Sequence, residues 1–578
     1  MAFFLFFAVR ASSAHEPLLL WHGLLHYKDS QFIIKDPNFY LQDFPESPEQ
    51  ELKKTLEFIT HSKGHAQSYA CRFPARYKLV LKHFYPDPGH EYEKLLLGCQ
   101  DYQEFLYKVP AENLYLVFAA ENISSPLSMM GHVLIMLEGE DSSSVKRQHA
   151  FSYFAVINSM NPVSLISESL FTGQEGRFGL SPYHQALLNY TDYEGRSVWQ
   201  YRLNLSHEEK HLIRDHIFEL RNIKPDYFFT KYNCATFTYD LLSITNPQLN
   251  ERRNNHLWIT PRDLVKELVS ENSFTSQTMY INPIQAMKVS KWHVSDETKM
   301  LKHEDFENPA KIERIAKKSK YDEVYIRNLN EYFYNKNLIS SQTYQEIKKI
   351  TENNLIKIDL LPKPEKAPYD TQISVGITRS SNQQRISLSF MPASHRLLDS
   401  SEGFFTENAL ELGDIEISLN NDSIQLDRFT LYKVSNINTI DPHVKNLSWG
   451  WKIALDRDEP IRQTKSLGLN SEIGMGGAFD INAKLVVYNL NYIGTYLTGE
   501  YDYIYVRPEI GAIKNINKNL KININSSLIL NSKESSFINY FGVSARLKKD
   551  LSITTELTRI QSNFAATDQI KIKLVKFF

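Results

Sequence analysis

The chain has 578 residues, and 65 basic against 67 acidic side chains give it a formal net charge of −2. This balance provides no overall attraction to nucleic acid, so no nucleic-acid partner is expected. A content of 42% hydrophobic and 23% charged residues excludes a disordered chain and a polytopic helical membrane protein. Three cysteines are too few for a disulfide scaffold or a cysteine-rich zinc module. No nucleotide-binding loop or metal-binding cluster stands out, so the sequence implies neither a cofactor nor a metal.

The first 14 residues predict a signal peptide. An apolar run from Met1 to Val9 is followed by small residues up to Ala14, which suit signal-peptidase cleavage. Arg10 follows the apolar run instead of preceding it, so a start upstream of Met1 and a buried N-terminal strand are the alternatives. No later segment reaches about 18 uninterrupted apolar residues, so no transmembrane helix is expected.

Residues 15–110 are mainly helical in pattern. In SPEQELKKTLEFI, Ser47 is placed to cap a helix, and the acidic residues after it suit the positive end of the helix dipole. The segments ACRFPARY and LLGCQDY contain Cys71 and Cys99. In an oxidising compartment these two cysteines are expected to form a disulfide.

Residues 111–255 alternate between strands and helices. NLYLVFAA and HVLIMLEG predict strands, and KYNCATFTYDLL predicts a turn entering a helix. HEEKHLIRDHIFEL predicts a solvated helix that carries His207, His211 and His216. The spacing of these histidines matches no metal motif. Residues 256–368 predict a helical insertion that ends in the proline-rich linker LPKPEKAP.

From Tyr369 onward the hydrophobic pattern has a period of two. Roughly twelve segments of about ten residues alternate in this way, which is typical of transmembrane β-barrels. Ile570, Ile572 and Leu574, for example, alternate with lysines. The final Phe577-Phe578 looks like the C-terminal signal of outer-membrane barrels. A soluble antiparallel sandwich or barrel is the alternative, because alternation shows only that one face is apolar.

Cys234 and His132 are the candidate catalytic pair. Cys234 is predicted in the first turn of a helix, where free N–H groups and the helix dipole stabilise a thiolate. His132 follows Gly131 and opens an apolar strand, a rigid element that can orient an imidazole. The alternatives are a buried cysteine acting as a small hydrophobe and a core histidine bonded to backbone.

The run from Ser125 to Asp240 resembles the Lnb N-terminal periplasmic domain family, whose members carry four blocks in a fixed order. These are a segment with Gly-His, a glycine-rich stretch, a Tyr-x-x-Glu-x-Arg-x-x-Trp-x-Tyr block and Asn-Cys. Here they read SPLSMMGHVLIML, FTGQEGRFGLSPYHQALLNY, TDYEGRSVWQYRLNLS and YNCATF. CRFPAR and SLSFMPASHRLLDS resemble the flanking regions of proteobacterial relatives. Val133 and Gln174-Glu175 depart from the usual Thr and Gly-Tyr.

The resemblance implies a permuted papain-like or NlpC/P60-like cysteine enzyme, in which the His strand precedes the Cys helix. His132 would take the thiol proton and Cys234 would attack a carbonyl carbon, giving a thioester. The Cys234 N–H and the Asn233 side chain are expected to stabilise the oxyanion. Three candidates for orienting His132 remain open: Ser152, His149 and Asn158.

Two interpretations of a polar and aromatic block also remain open. Glu194, Arg196, Trp199 and Tyr201 either line the cleft or serve the fold, with the charged pair holding a loop and the aromatics filling core.

The expected fold class is therefore α+β, with a helical N-terminal domain, a papain-like domain and a C-terminal antiparallel barrel over residues 369–578. The expected function is that of an envelope thiol acyltransferase or hydrolase, with the outer membrane and a lipoprotein or peptide substrate as partners. The resemblance implies lipoprotein N-acylation, an activity of members with helical membrane C-termini. The alternatives are peptide or amide hydrolysis and a non-catalytic scaffold with a binding domain.

Overall fold

A computed structural model describes residues 16–85, 89–122, 129–141, 143–157, 172–246, 249, 258–351, 361–380, 383–420, 423–457, 461 and 466–578. The predicted signal peptide, residues 1–14, lies outside them. The described residues divide into two compact units. The first comprises the described parts of Met1–Ala119, Gly131–Tyr193 and Val198–Met279, and the second those of Ala120–Met130, Glu194–Ser197 and Tyr280–Phe578.

The described part of the first unit begins with a helical segment, residues 16–24, followed by a short hairpin and a set of helices. These are β1 (Tyr27–Lys28), β2 (Gln31–Phe32), α1 (Pro48–His61), α2 (Lys63–Arg72), α3 (Pro74–His83), α4 (Gly89–Glu93) and α5 (Gln100–Lys108). Ser47 caps α1 as predicted, because its hydroxyl accepts a hydrogen bond from the Gln50 N–H at 3.2 Å. The predicted disulfide between Cys71 and Cys99 is present.

A seven-stranded sheet forms the centre of this unit, in the order β8–β6–β5–β4–β3–β7–β9. Its strands are β3 (Asn113–Ala119), β4 (His132–Glu140), β5 (Lys146–Ala155), β6 (Gln174–Pro182), β7 (Val198–Leu203), β8 (Asp226–Tyr227) and β9 (Phe274–Tyr280). The helices around it are α6 (Tyr183–Leu188), α7 (His207–Glu219), α8 (Cys234–Ser243) and α9 (Pro261–Ser270).

The two faces of the sheet pack against different helices. On one face, Phe151 and Tyr153 of β5 contact Phe237 of α8, with ring centroids 6.0 and 5.3 Å apart. On the other face, Leu134 of β4 packs with Tyr183 of α6 in a buried apolar cluster. Since successive side chains of a strand point to opposite faces, residue parity along β4 and β5 decides which helix each side chain meets.

The second unit begins with helices that pack against a loop of the barrel. The helices are α10 (Pro283–Ser290), α11 (Asp296–Lys299), α12 (Pro309–Ala316), α13 (Lys320–Asn335) and α14 (Ser341–Ile350). Their core includes Phe306, Ile326 and Leu329 together with Val444, which lies between two barrel strands. The part of the predicted insertion after Tyr280 is mainly helical, and its apolar side is buried on the barrel loop. The earlier part instead contributes helix α9 and strand β9 to the first unit.

The remainder of the second unit is a closed antiparallel barrel. Its strands are β10 (Gln372–Ser380), β11 (Gln383–Met391), β12 (Ala393–His395), β13 (Glu407–Asn420), β14 (Ser423–Ile437), β15 (Ser448–Asp456), β16 (Gly468–Asn482), β17 (Leu485–Leu497), β18 (Tyr503–Asn517), β19 (Leu520–Leu530), β20 (Ser535–Lys548), β21 (Leu551–Ser562) and β22 (Ala566–Phe577). β11 and the short β12 both pair with β13 and act as one wall strand. β10 pairs with both β11 and β22, which closes a ring of twelve. The predicted fold class and strand number are confirmed.

The barrel wall is apolar outside and polar inside. Ile570, Ile572 and Leu574 of β22 are each more than 40% exposed, and Ile377 of the neighbouring β10 is also exposed. The alternate residue Lys573 is buried inside. An outer apolar surface around a polar interior is the arrangement of outer-membrane barrels, whose strands face lipid on one side.

Charged side chains meet across the interior of the barrel. Lys573 of β22 pairs with Glu416 of β13 at 3.0 Å. Lys521 of β19 pairs with Glu407 of β13 at 2.7 Å, although these two strands lie six positions apart in the ring of twelve. The Lys521–Glu407 ion pair therefore joins opposite walls.

Candidate functional site

Cys234 is the first residue of α8, as predicted, and Asn233 is the N-cap. The Asn233 side-chain oxygen accepts a hydrogen bond from the Thr236 N–H at 2.9 Å. Its amide nitrogen donates to the carbonyls of Phe229 at 3.1 Å and Ile259 at 3.0 Å. Both amide hydrogens are thus used within the fold. The geometry favours a capping role for Asn233 over the predicted role of oxyanion donor.

The surroundings of Cys234 are aromatic and largely dry. Cys234 is 4% exposed, and the hydroxyl of Tyr227 on β8 lies near its thiol and its backbone N–H. Burial, reinforced by the nearby Cys234, raises the pKa of Tyr227 well above its ordinary value. Tyr227 therefore keeps its proton at neutral pH and can donate it to a thiolate or to a bound oxygen. No sequence motif pointed to Tyr227, because β8 has only two residues.

His132 is the first residue of β4 and follows Gly131, whose φ of +83° only glycine adopts readily. A Cβ at Gly131 would also lie 2.8 Å from the ring of Phe118. The His132 imidazole lies beside Tyr190, with ring centroids 6.2 Å apart. By strand alternation, His132 shares the face of Leu134, which packs on α6.

Cys234 and His132 lie at the same end of the sheet. β4 begins at His132, and its antiparallel neighbour β5 ends at Ala155, beyond Tyr153. Tyr153 interacts electrostatically with Cys234. Alternation assigns His132 to the α6 face and Tyr153 to the α8 face. A reacting pair therefore requires the imidazole to reach round the strand end, and the dyad stays a prediction.

The three candidates for orienting His132 occupy different positions. Ser152 lies on β5, on the same face of the sheet as His132 and three residues before the strand ends at Ala155. His149 is paired with Leu137, five residues along β4 from His132, which at about 3.4 Å per residue is roughly 17 Å away. That separation excludes a direct contact with His149. Asn158 lies outside the described residues, so Ser152 and Asn158 both stay predicted candidates.

The polar and aromatic block serves the fold. Arg196 is buried, pairs with Glu194 at 2.7 Å and donates a hydrogen bond to the carbonyl of Ala120. Trp199 and Tyr201 are buried within β7. The interpretation as an ion pair with core aromatics therefore describes these residues better than that of a cleft lining.

The prediction of a fully solvated histidine face on α7 is wrong at one position. His207 and His211 lie together, with ring centroids 3.9 Å apart, whereas His216 has no exposed surface. His216 faces the N-terminal helices and contacts His26, 190 residues earlier in the chain. A contact so distant in sequence leaves no trace in the local pattern of α7.

Among the residues that the structure describes, no three His, Cys, Asp or Glu side chains are grouped so that they could hold a metal ion. Within the same ranges, no helix has both the length and the apolar character needed to cross a bilayer.

A mixed α+β unit with a cysteine at a helix start, joined to a barrel with an apolar outer wall, defines a class of two-part cell-envelope proteins. Residues 101–271 match the family model of the Lnb N-terminal periplasmic domain. Two other models match, at residues 18–83 a domain of unknown function (DUF7843) and at residues 362–577 a domain of unknown function (DUF7840). No curated protein matches the chain.

Solved porin structures are similar to about a third of the chain. The KdgM porin is 8% identical, covering 36% of this chain and 99% of that chain with a TM-score of 0.24. The NanC porin is 10% identical with the same coverages and TM-score. The anion-selective porin from Comamonas acidovorans is 9% identical, with 36% and 98% coverage and a TM-score of 0.20. The periplasmic domain and the barrel of outer-membrane type place the protein in the cell envelope.

Proposed function

We propose that this protein is a cell-envelope cysteine enzyme that transfers or hydrolyses acyl groups through a thioester on Cys234. The observation that carries the proposal is the position of Cys234 at the start of α8, beside the hydroxyl of Tyr227. A helix start and a neutral hydroxyl donor both stabilise a thiolate. His132, at the same end of the sheet, is the proposed base.

The proposed reaction has two halves. His132 takes the proton of the Cys234 thiol, and the sulfur forms a bond to the carbonyl carbon of an ester or amide. The bond to the leaving alcohol or amine then breaks, and His132 returns the proton to that group. In the second half an amine or water attacks the thioester, His132 accepts its proton, and the thiol is restored.

Oxyanion stabilisation is proposed for Tyr227 and the backbone N–H of Cys234. The Tyr227 hydroxyl lies near the backbone N–H of Cys234, so a substrate oxygen bound between them would accept a hydrogen bond from each. Donors fixed in advance are worth about 3–4 kcal/mol of transition-state stabilisation each in comparable sites. Asn233 acts as a positioning residue, because its side chain ties the helix start to Phe229 and Ile259.

The particular reaction proposed is acylation of a lipoprotein amino terminus with a phospholipid as donor. The match of residues 101–271 to the Lnb periplasmic domain supports it, although a barrel stands here in place of the helical membrane segments of members with that activity. Hydrolysis of a peptide or amide by the same groups is the alternative. A scaffold that only binds would need neither the cysteine at a helix start nor the histidine at a strand start.

The test is mass spectrometry of the full-length protein purified from membranes. An acyl adduct on Cys234 that is lost with hydroxylamine and absent from Cys234→Ala supports the proposal. We expect His132→Ala to lower the rate of adduct formation at least 100-fold. His149→Ala is the matched control, since it removes a histidine from the adjacent strand at a distant position. Equal adduct formation in the His132 and His149 variants would refute the dyad, and the absence of any adduct with phospholipid or peptide donors would refute the enzyme.

A further inference from the structure

A continuous chain of polar side chains crosses the interior of the first unit and ends beside the candidate site. The Tyr232 hydroxyl contacts Nδ1 of His26 at 3.4 Å. His26 Nε2 lies 3.0 Å from His216 Nε2, and His216 Nδ1 lies 2.8 Å from Glu219 Oε2. The other carboxylate oxygen of Glu219 accepts a hydrogen bond from the Arg76 backbone N–H at 2.9 Å.

The geometry gives this chain one direction when both histidines are neutral. A carboxylate only accepts hydrogen bonds, so His216 donates from Nδ1 to Glu219 and presents a bare Nε2. His26 must then donate from Nε2, which leaves its Nδ1 bare. That nitrogen accepts a hydrogen bond from the hydroxyl of Tyr232. Every link has one donor and one acceptor, from Tyr232 through His26 and His216 to Glu219.

All of these groups are buried, which makes the chain costly unless it is complete. His216 and Arg76 have no exposed surface, and His26 and Glu219 have 4% each. An unpaired polar group buried in this way costs about 1–3 kcal/mol, more if it is charged. An apolar core would fill the same space without that cost, so the residues point to a role beyond packing.

The chain connects the N-terminal helices to the segment that leads into the nucleophile. Arg76 lies on α3, and His26 precedes β2. At the other end, Tyr232 closes a tight loop, because its backbone exchanges hydrogen bonds with Phe228 in both directions at 3.0 and 3.1 Å. The next two residues are the N-cap Asn233 and Cys234. The position of Tyr232 therefore sets where α8 begins.

We propose that Tyr232, His26 and His216 form a positioning relay through which the N-terminal helical domain holds the Cys234 helix start in its reactive geometry. The relay assigns a role to the segment matched by a domain of unknown function at residues 18–83, which supplies His26 and Arg76. It rests on the proposed role of Cys234, but its members touch neither the substrate nor the reacting atoms. They act through the loop that Tyr232 closes.

The charged and titratable groups that face the relay include Tyr69 on α2, which interacts electrostatically with Arg76 and Glu219. Arg76 faces His216 and Glu219, and Asp215 on α7 faces Glu219. Burial lowers the pKa of His216 well below its ordinary value, and Arg76 lowers it further. Burial raises the pKa of Glu219 to about 7, against the opposing effect of Arg76. His216 is thus neutral at pH 7, as the hydrogen-bond direction requires.

The test uses the pH profile of Cys234 alkylation by a small neutral reagent in the full-length protein. Tyr232→Phe keeps the ring and removes one hydroxyl, so the first unit should still fold, with its melting temperature lowered by about 2–12 °C because His26 Nδ1 then loses the hydrogen bond from Tyr232. We expect it to raise the midpoint of the profile by half a pH unit or more, because the thiolate loses its alignment with the helix start. Tyr77→Phe is the control, since it removes another buried hydroxyl, which donates to the carbonyl of Tyr92 and lies outside the relay.

A double variant separates a relay from two independent supports. His26→Gln should shift the midpoint in the same direction, and combining it with Tyr232→Phe should add no further shift. An unchanged midpoint in Tyr232→Phe, an equal shift in Tyr77→Phe, or fully additive shifts would each overturn the relay. Failure of the proposed catalytic dyad shows elsewhere, as an alkylation profile that His132→Ala leaves unchanged, so the two outcomes are distinguishable.

Discussion

A lysine placed on the outer wall of the barrel is the sharpest test of its environment. Ile572 is 46% exposed and lies in the middle of the twelve-residue strand β22, beside Ile377 in the register with β10. If this wall faces lipid, Ile572→Lys should cost roughly 2–4 kcal/mol. That corresponds to about a 30- to 900-fold loss in the folding equilibrium.

The same substitution at the end of a strand provides the control. Ile424 is the second residue of β14 and is 75% exposed on the wall. Near the membrane interface a lysine costs only about 0–1 kcal/mol. Ile424→Lys therefore changes charge and hydrophobicity as Ile572→Lys does, but at a different depth.

The assay is equilibrium unfolding in urea of the full chain folded into phospholipid vesicles, followed by tryptophan fluorescence. The expected result is a midpoint lowered far more by Ile572→Lys than by Ile424→Lys. Equal small effects for both variants, together with folding in buffer without lipid or detergent, would show that the wall faces water.

Three further outcomes are expected. Replacing Cys71 with serine should cost about 3–4 kcal/mol, because the disulfide closes a loop with a sequence separation of 28; thermal unfolding under non-reducing conditions measures this. Burial lowers the pKa of His211 to about 4. As the pH drops from about 6.5 towards 4, His211 therefore becomes protonated in the unfolded chain before it does in the folded one, and the free energy of unfolding should fall. His211→Gln should flatten this pH dependence in melting curves. Lys521→Met should cost roughly 3–5 kcal/mol because it leaves Glu407 buried without its cation, and planar-bilayer recordings should show larger conductance than for the unaltered barrel.

Local signals in the sequence predicted local structure well. Ser47 marked the start of α1, and the alternation of Ile572 with Lys573 assigned each residue to its side of the wall, because both depend only on near neighbours. The Cys71–Cys99 pairing followed from having two cysteines in one helical region and a third in a different setting.

These local sequence patterns could not predict contacts between distant parts of the chain. His216 sits on a helix of ordinary polar spacing, and its burial depends on His26, far away in sequence. Tyr227 lies on a two-residue strand that no periodicity reveals. The sequence alone did not distinguish Ser152 from His149 as the residue that orients His132. The antiparallel register separates them, because it pairs His149 with Leu137, far from the start of β4.

The ion pair between Lys521 and Glu407 has a consequence for the interior of the barrel. Lys521 and Glu407 are both buried and lie on opposite walls, so their ion pair occupies part of the barrel interior. A solute that crossed the barrel would have to pass beside this pair, and the pair therefore narrows the path that the interior can offer.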